Sequence, residues 1–255
     1  MAFVIAFAGK GGVGKTSLAS LTVNYLVARK KGLVLAVDAD PNSCLHEALG
    51  VQIRGTVGSM REESLQTVRS GGERPGGMST DALFDYRIQQ CLTEAHGYDL
   101  LVMGRPEGPG CYCAANNIIR RYTDSLADDY RYMVIDNEAG LEHLSRHTSR
   151  AVDLLIIVSD PTAKGVRTAR RVCDMIEELK IRVKKTVLVL NRVDRDLSDT
   201  LLPLAVSLGL NVAGVIPSDP GITAADLSGE PVAEIPADSE AVIALRNALD
   251  QLEIP

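Results

Sequence analysis

Gly9-Lys10-Gly11-Gly12-Val13-Gly14-Lys15-Thr16, in one-letter code GKGGVGKT, is the stretch that decides the fold. It matches G-x-x-x-x-G-K-[ST] at every position. An apolar run, Phe3–Ala8, leads into it, and a helical pattern, Lys15–Ala28, leads out of it. Glycines let the backbone turn its N–H groups inward onto phosphate oxygens, and the helix that starts near Lys15 adds its positive end. A glycine turn that matched by chance would not need both flanks. The loop therefore predicts a phosphate cradle made of Gly9, Gly11, Gly12, Val13, Gly14, Lys15, Thr16 and Ser17. Lys15 reaches the β- and γ-phosphates of a nucleoside triphosphate, and the Thr16 hydroxyl ligates Mg²⁺.

Outward from this loop, short apolar runs alternate with helical patterns to the end of the chain. Strands are expected at Phe3–Ala8, Leu33–Val37, Leu100–Met103, Tyr132–Ile135, Leu154–Val158, Thr186–Leu190 and Val212–Ile216. Helices are expected at Lys15–Ala28, Asp81–Ala95, Ala114–Leu126, Ala163–Leu179 and Ser239–Leu252. The strand runs are rich in Val, Ile and Leu and lack strict alternation, as strands buried on both faces do. The expectation is a single α/β domain over residues 1–255, with a doubly wound, mostly parallel sheet and helices on both faces. A hydrophobic fraction of 45% with only 4% aromatic residues and no Trp suits such a core. Ser70–Ser79, SGGERPGGMS, reads as a loop.

Charge and cysteine usage narrow the class. A net charge of −6 argues against a protein that grips nucleic acid through phosphate neutralisation. No run reaches membrane-spanning length, and a cytoplasmic protein is expected. Five cysteines, an odd number, argue against a disulfide framework.

Carboxylates at the C-terminal ends of parallel strands face the ligand crevice. Asp38-Ala39-Asp40-Pro41 follows the second expected strand. Asp40 can position an attacking water and Asp38 can organise the Mg²⁺ shell; capping of the Cys44–Leu49 segment by Asp40 or Asn42 is the structural alternative. Asp136-Asn137-Glu138-Ala139-Gly140 follows YMVI, so Asp136 takes the position that holds Mg²⁺ through water. Gly140 can donate its N–H to the γ-phosphate and move when that phosphate leaves. His143 reads as a polar residue at a helix start.

An ordinary phosphate loop has no need of Lys10. With it, the sequence resembles the deviant Walker A group of P-loop nucleotide hydrolases, which includes MinD, ParA, the nitrogenase iron protein and several metal-insertion ATPases. The resemblance implies that Lys10 reaches across a homodimer interface to the partner's nucleotide, where a cation stabilises charge on the transferring phosphoryl group. Lys10, Lys15 and Asp40 are thus the expected catalytic residues. Asn191-Arg192-Val193-Asp194 looks like the N-K-x-D guanine motif with Arg in the lysine position. In the group it resembles, an Asn here contacts adenine, and Pro217-Ser218-Asp219 falls where further backbone contacts to the base are made. The resemblance therefore implies ATP as the nucleotide, with Asn191, Pro217, Ser218 and Asp219 around its base.

Residues 108–117 read GPGCYCAANN. In an extended backbone the i and i+2 side chains point to one side, so Cys111 and Cys113 can share one soft ion. Two ligands do not close a site, but a two-fold dimer axis supplies four sulfurs. Two packing cysteines are the ordinary alternative. Together GKGGVGKT, DADPNSCL, CYC, DNEAGLEH and AVDLLIIVSDP resemble the CooC/AcsF family, nickel-insertion accessory ATPases of carbon monoxide dehydrogenase and acetyl-CoA synthase. The resemblance implies that ATP and Mg²⁺ close a homodimer and that closure builds or reshapes a Ni²⁺ or Zn²⁺ site from the four thiolates. Hydrolysis then loosens that site toward the dehydrogenase client. Two rivals share the loop. A MinD- or ParA-type positioning ATPase would want a basic membrane-surface helix or a DNA-binding charge, whereas Ser239–Pro255 sets Arg246 against Glu240, Asp250 and Glu253. A reductase of the nitrogenase iron-protein type would want a distant cysteine partner, with Cys91 and Cys173 as candidates.

Overall fold

A computed structural model describes residues 2–69, 79–105, 126, 128–138, 151–194 and 198–255. Its strands are β1 (Phe3–Gly9), β2 (Val34–Ala39), β3 (Thr93–Ala95), β4 (Tyr98–Val102), β5 (Tyr132–Asn137), β6 (Val152–Ser159), β7 (Val183–Val193) and β8 (Val212–Pro217). They form one sheet in the order β3-β4-β2-β5-β1-β6-β7-β8. Every pairing is parallel except the edge pair β3–β4. Helices among the described residues are α1 (Lys15–Ala28), α2 (Leu45–Ala48), α3 (Val57–Arg69), α4 (Thr80–Cys91), α5 (Ala163–Glu178), α6 (Ser198–Ser207), α7 (Pro220–Ser228) and α8 (Glu240–Asp250).

The period of two along each strand divides the core in two. On β1, Val4, Ala6 and Ala8 face one apolar layer with α5 and α6, while Ile5 and Phe7 face the other with α1, α7 and α8. On β5, Met133 and Ile135 join the first layer, and Tyr132 and Val134 the second. Both faces are buried, which is why the sequence shows apolar runs where a one-sided sheet would show alternation. The doubly wound α/β expectation is met.

All seven expected strands are present. The helix expected over Asp81–Ala95 is shorter than read. α4 ends at Cys91, Leu92 is extended at φ −65°, ψ 120°, and Thr93–Ala95 turn back as β3 against β4. Thr93 is β-branched and its side chain is buried, which fits a strand better than a fourth helical turn. Helices α3, α6 and α7 were not read at all. The expected helix Ala114–Leu126 lies outside the described residues apart from Leu126, and so does the loop Ser70–Ser79 apart from Ser79.

Candidate nucleotide site

The phosphate loop joins β1 to α1 at the C-terminal edge of the sheet, where a parallel sheet places its ligand crevice. Gly9 ends β1 at φ 143°, and a Cβ there would sit 2.3 Å from the carbonyl oxygen of Val158 on β6. Only glycine lets the chain leave the sheet at that point. Lys15, in the first turn of α1, is buried, and its Nζ donates to the carbonyls of Gly9 (3.3 Å) and Lys10 (3.2 Å). Burial pulls the Lys15 ammonium below its ordinary pKa, while Asp136, Asp40 and Glu138 push it back up.

Strand register brings the acids together. Asp38 on β2 is the direct register partner of Asp136 on β5, and Phe7 on β1 is the partner of Asp136 on its other side. Both acids continue the α1-facing set of their strands, so they end against the α1 N-terminus. There the Thr16 hydroxyl donates to Asp136 Oδ2 at 2.6 Å. Asp136 Oδ1 is buried and has no protein partner among the described residues. Asp136 is raised to about 6, first by burial, with Asp40 adding to it and Thr16 and Lys15 opposing it. Asp38, fully buried, is raised to about 7, first by burial and then by Asp136 and Asp40, against hydrogen bonds from Leu45 and Asp40.

A pair of buried acids with a raised pKa, an adjoining hydroxyl and a free carboxylate oxygen has the oxygen donor set that Mg²⁺ takes. The residues present fit that ion. Asp38 has a second duty that the sequence reading gave to Asp40 or Asn42. Its Oδ2 accepts the N–H of Leu45 at 2.9 Å, the first residue of α2, and its Oδ1 accepts that of Asp40 at 3.1 Å. Asp40 instead closes a local turn, accepting from Asn42 N–H at 2.8 Å.

Lys10 points outward, its side chain 58% exposed, with Nζ 3.9 Å from Asp160 Oδ2 just after β6. Asn191, near the end of β7, is buried under the loop, and its Nδ2 donates to the Val13 carbonyl at 2.9 Å. A Cβ on Gly14, whose φ is 91°, would lie 2.4 Å from that same Nδ2. The segment Pro217-Ser218-Asp219 sits beside it, with the Ser218 hydroxyl donating to Asp194 at 3.1 Å. Asp219 caps α7, accepting from Gly221 N–H (2.8 Å) and Ile222 N–H (3.1 Å), and also accepts the Ser239 hydroxyl. These bonds pull its carboxyl below the ordinary range despite burial.

Gly140, His143, Cys111 and Cys113 lie outside the described residues. Among the described residues, no cluster of three or more His, Cys, Asp or Glu is arranged to hold a metal. Cys91 is buried at the end of α4, and Cys173 is half-buried on α5 beside the apolar layer. Neither lines the crevice at the phosphate loop. Missed by the sequence reading were the contacts of Arg192, whose Nη1 donates to the Gly12 carbonyl at 3.3 Å and whose Nη2 pairs with Asp226 of α7 at 3.2 Å. The basic residue next to Asn191 was the available signal.

The profile of the CobQ/CobB/MinD/ParA nucleotide binding domain matches residues 4–232. An uncharacterised ATP-binding protein of Methanocaldococcus jannaschii is 44% identical over 237 residues, covering 93% of this chain and 93% of that protein. The carbon monoxide dehydrogenase accessory protein CooC of Rhodospirillum rubrum is 31% identical over 236 residues, 88% of this chain and 87% of that one. Among solved structures, septum site-determining protein MinD of Pyrococcus horikoshii in complex with Mg-ADP superposes with a TM-score of 0.65 at 19% identity. It covers 99% of this chain and 96% of that one.

Proposed function

The chain belongs to the CobQ/CobB/MinD/ParA nucleotide-binding family, and from that premise we propose that it is a dimer-switching ATPase that assists nickel insertion into carbon monoxide dehydrogenase. That it is an ATP-binding P-loop ATPase follows from the family itself. The finer reading is carried by the likeness to CooC, which runs over 88% of the chain at 31% identity. The sequence pair Cys111 and Cys113 supports it, as two thiolates per subunit to meet their counterparts across a two-fold axis.

In this reading Thr16, Asp136 and Asp38 would hold Mg²⁺, which would supply charge neutralisation to the triphosphate. Lys15, already seated at the mouth of the loop, contacts the same phosphates. Asp40 orients the water that attacks the γ-phosphorus as the bond to the β–γ bridging oxygen breaks, leaving ADP and phosphate. Lys10 supplies the cation to the nucleotide of the other subunit. Its exposure in a single chain is what a residue destined for a partner requires. Gly140 reports loss of the γ-phosphate. Asn191, with Pro217, Ser218 and Asp219, borders the adenine. Nickel, or zinc in its place, is cargo held by the four thiolates of the closed dimer and loosened on hydrolysis.

A MinD-type role at a membrane is less well supported. α8 spends Ala241, Val242, Leu245 and Leu249 on the core.

The test is metal content per subunit by elemental analysis, with and without Mg-ATP, alongside mass by light scattering. One nickel or zinc per ATP-closed dimer is expected. Cys111→Ser with Cys113→Ser is expected to lose the metal and the metal-dependent dimer while retaining nucleotide. Unchanged metal stoichiometry in that double variant would reject the shared site and leave the ATPase standing.

A further inference from the structure

Two consecutive residues on a regular strand point to opposite faces. Asn191 and Arg192 do not. Leu190 and Val193 both face the α5 layer, three positions apart where alternation requires an even number, and the β7–β8 register shifts between them. Arg192 takes up the difference with φ 57°, a left-handed conformation that is unusual for a residue with a long side chain. The extra residue is a β-bulge, which re-aims side chains. Here it turns Asn191 and Arg192 toward one target. Asn191 Nδ2 takes the Val13 carbonyl at 2.9 Å, and Arg192 Nη1 takes the adjacent Gly12 carbonyl at 3.3 Å.

The consequence follows from peptide planarity. In a trans peptide the carbonyl and the N–H of the next residue point in opposite directions. Drawing the Gly12 carbonyl to Arg192 turns the Val13 N–H to the other side of the loop. Drawing the Val13 carbonyl to Asn191 does the same for the Gly14 N–H. A phosphate loop works by presenting successive N–H groups on one side. Arg192 is in turn braced from α7, where Asp226 Oδ2 accepts Nη2 at 3.2 Å.

We propose that Arg192 is a positioning residue for triphosphate binding, a clasp braced by Asp226 that sets the Val13 N–H toward the phosphates before nucleotide arrives. The proposal rests on the ATPase assignment and is independent of nickel. Strain accepted at a bulge beside a ligand loop, with the strained side chain spent on that loop, marks a functional position more than a stabilising one.

The experiment compares Arg192→Ala, Arg192→Gly, Arg192→Lys and Asp226→Asn with the unaltered full chain. Affinity for a fluorescent, non-hydrolysable ATP analogue with Mg²⁺ is measured by titration, together with kcat, KM and metal-free melting temperature. Arg192→Ala is expected to weaken analogue binding and raise KM for ATP by roughly tenfold, about one hydrogen bond's worth of preorganisation, with kcat changed less than about threefold. Arg192→Lys, which keeps one donor for Gly12, recovers most of the loss. Arg192→Gly relieves the left-handed backbone, so it melts no lower than the unaltered protein while binding as weakly as Arg192→Ala. Asp226→Asn loses less than Arg192→Ala, and the two together lose no more than Arg192→Ala alone. Unchanged affinity in Arg192→Gly overturns the proposal. So does a loss of affinity in Arg192→Ala that tracks a fall in melting temperature and is absent from Arg192→Gly, since that is the signature of a purely structural residue.

Discussion

Asp136→Asn separates the stability of the empty site from its use. In the metal-free protein the ionised Asp136 is held almost completely buried, and its pKa rises from 3.8 to about 6. The sign is that of a raised carboxylate: the folded state binds the proton more tightly than the unfolded state does. Below about pH 4 both states are protonated and the residue costs nothing. Between pH 4 and 6 the folded protein loses stability as pH rises, and above 6 the penalty is constant. A shift of roughly two units at 1.36 kcal/mol each is about 3 kcal/mol. Asparagine removes that charge and keeps an oxygen to accept the Thr16 hydroxyl, now bonded at 2.6 Å. It also places an NH₂ group where Asp136 Oδ1 has no partner, which costs about 1–2 kcal/mol. The net is a gain of about 1–2 kcal/mol at pH 8, or about 2–8 °C in melting temperature for a chain of this size. Removing the Asp136 charge also relieves Asp38, whose pKa it raises, in the same direction. The assay is thermal melting in EDTA from pH 4 to 8, repeated with Mg²⁺ and ADP. The variant should melt higher than the natural protein at pH 8, the gap should close and then reverse toward pH 4, where the cost of the asparagine NH₂ is no longer offset, and Mg-ADP should stabilise the natural protein more than the variant. A variant that melts lower at pH 8 in EDTA, or a gap indifferent to pH, would refute the reasoning.

Lys10→Ala should bind Mg-ATP within about threefold of the natural affinity yet lose turnover by at least about a hundredfold, as removal of a charge-stabilising finger does; unchanged turnover in an ATPase assay would remove Lys10 from the mechanism. Gly14→Ala should cost more than tenfold in nucleotide affinity by calorimetry, since its φ is 91° and its Cβ would meet Asn191 Nδ2 at 2.4 Å. Natural affinity in that variant would show the loop to be freer than these contacts allow. In the native protein at pH 8, peptide mapping after brief iodoacetamide treatment should find Cys44, which is exposed, modified well ahead of Cys91, which burial pushes up to about 12. Equal labelling would mean that α4 opens readily.

The strands and the phosphate loop were legible because their signals are local: apolar runs of a certain length, and glycines that must precede a helix. Asp136 and Asp38 were legible too, since an acid that ends an apolar strand has one place to go in a parallel sheet. Helices α3, α6 and α7 were not. α6 carries Pro203 in its interior, and α7 opens on Pro220-Gly221, a pair that reads as a turn. α7 stands because Asp219 caps it, its carboxylate accepting the N–H groups of Gly221 and Ile222. β3 was lost for a different reason: three residues gain strand character only from pairing with β4.

The bulge at Asn191–Arg192 shows the limit most clearly. A motif reader sees N-R-x-D and assigns one residue to the base. Nothing in the residue types says that alternation fails between Leu190 and Val193, because bulges are set by what the strand must reach and not by propensity. What it reaches here is a loop 178 residues away along the chain. The loop supplies glycine at position 14, and the strand supplies the amide that would collide with anything larger. Neither choice explains itself alone. The phosphate loop that decides the fold from one end of the sequence is held in its working shape from the other.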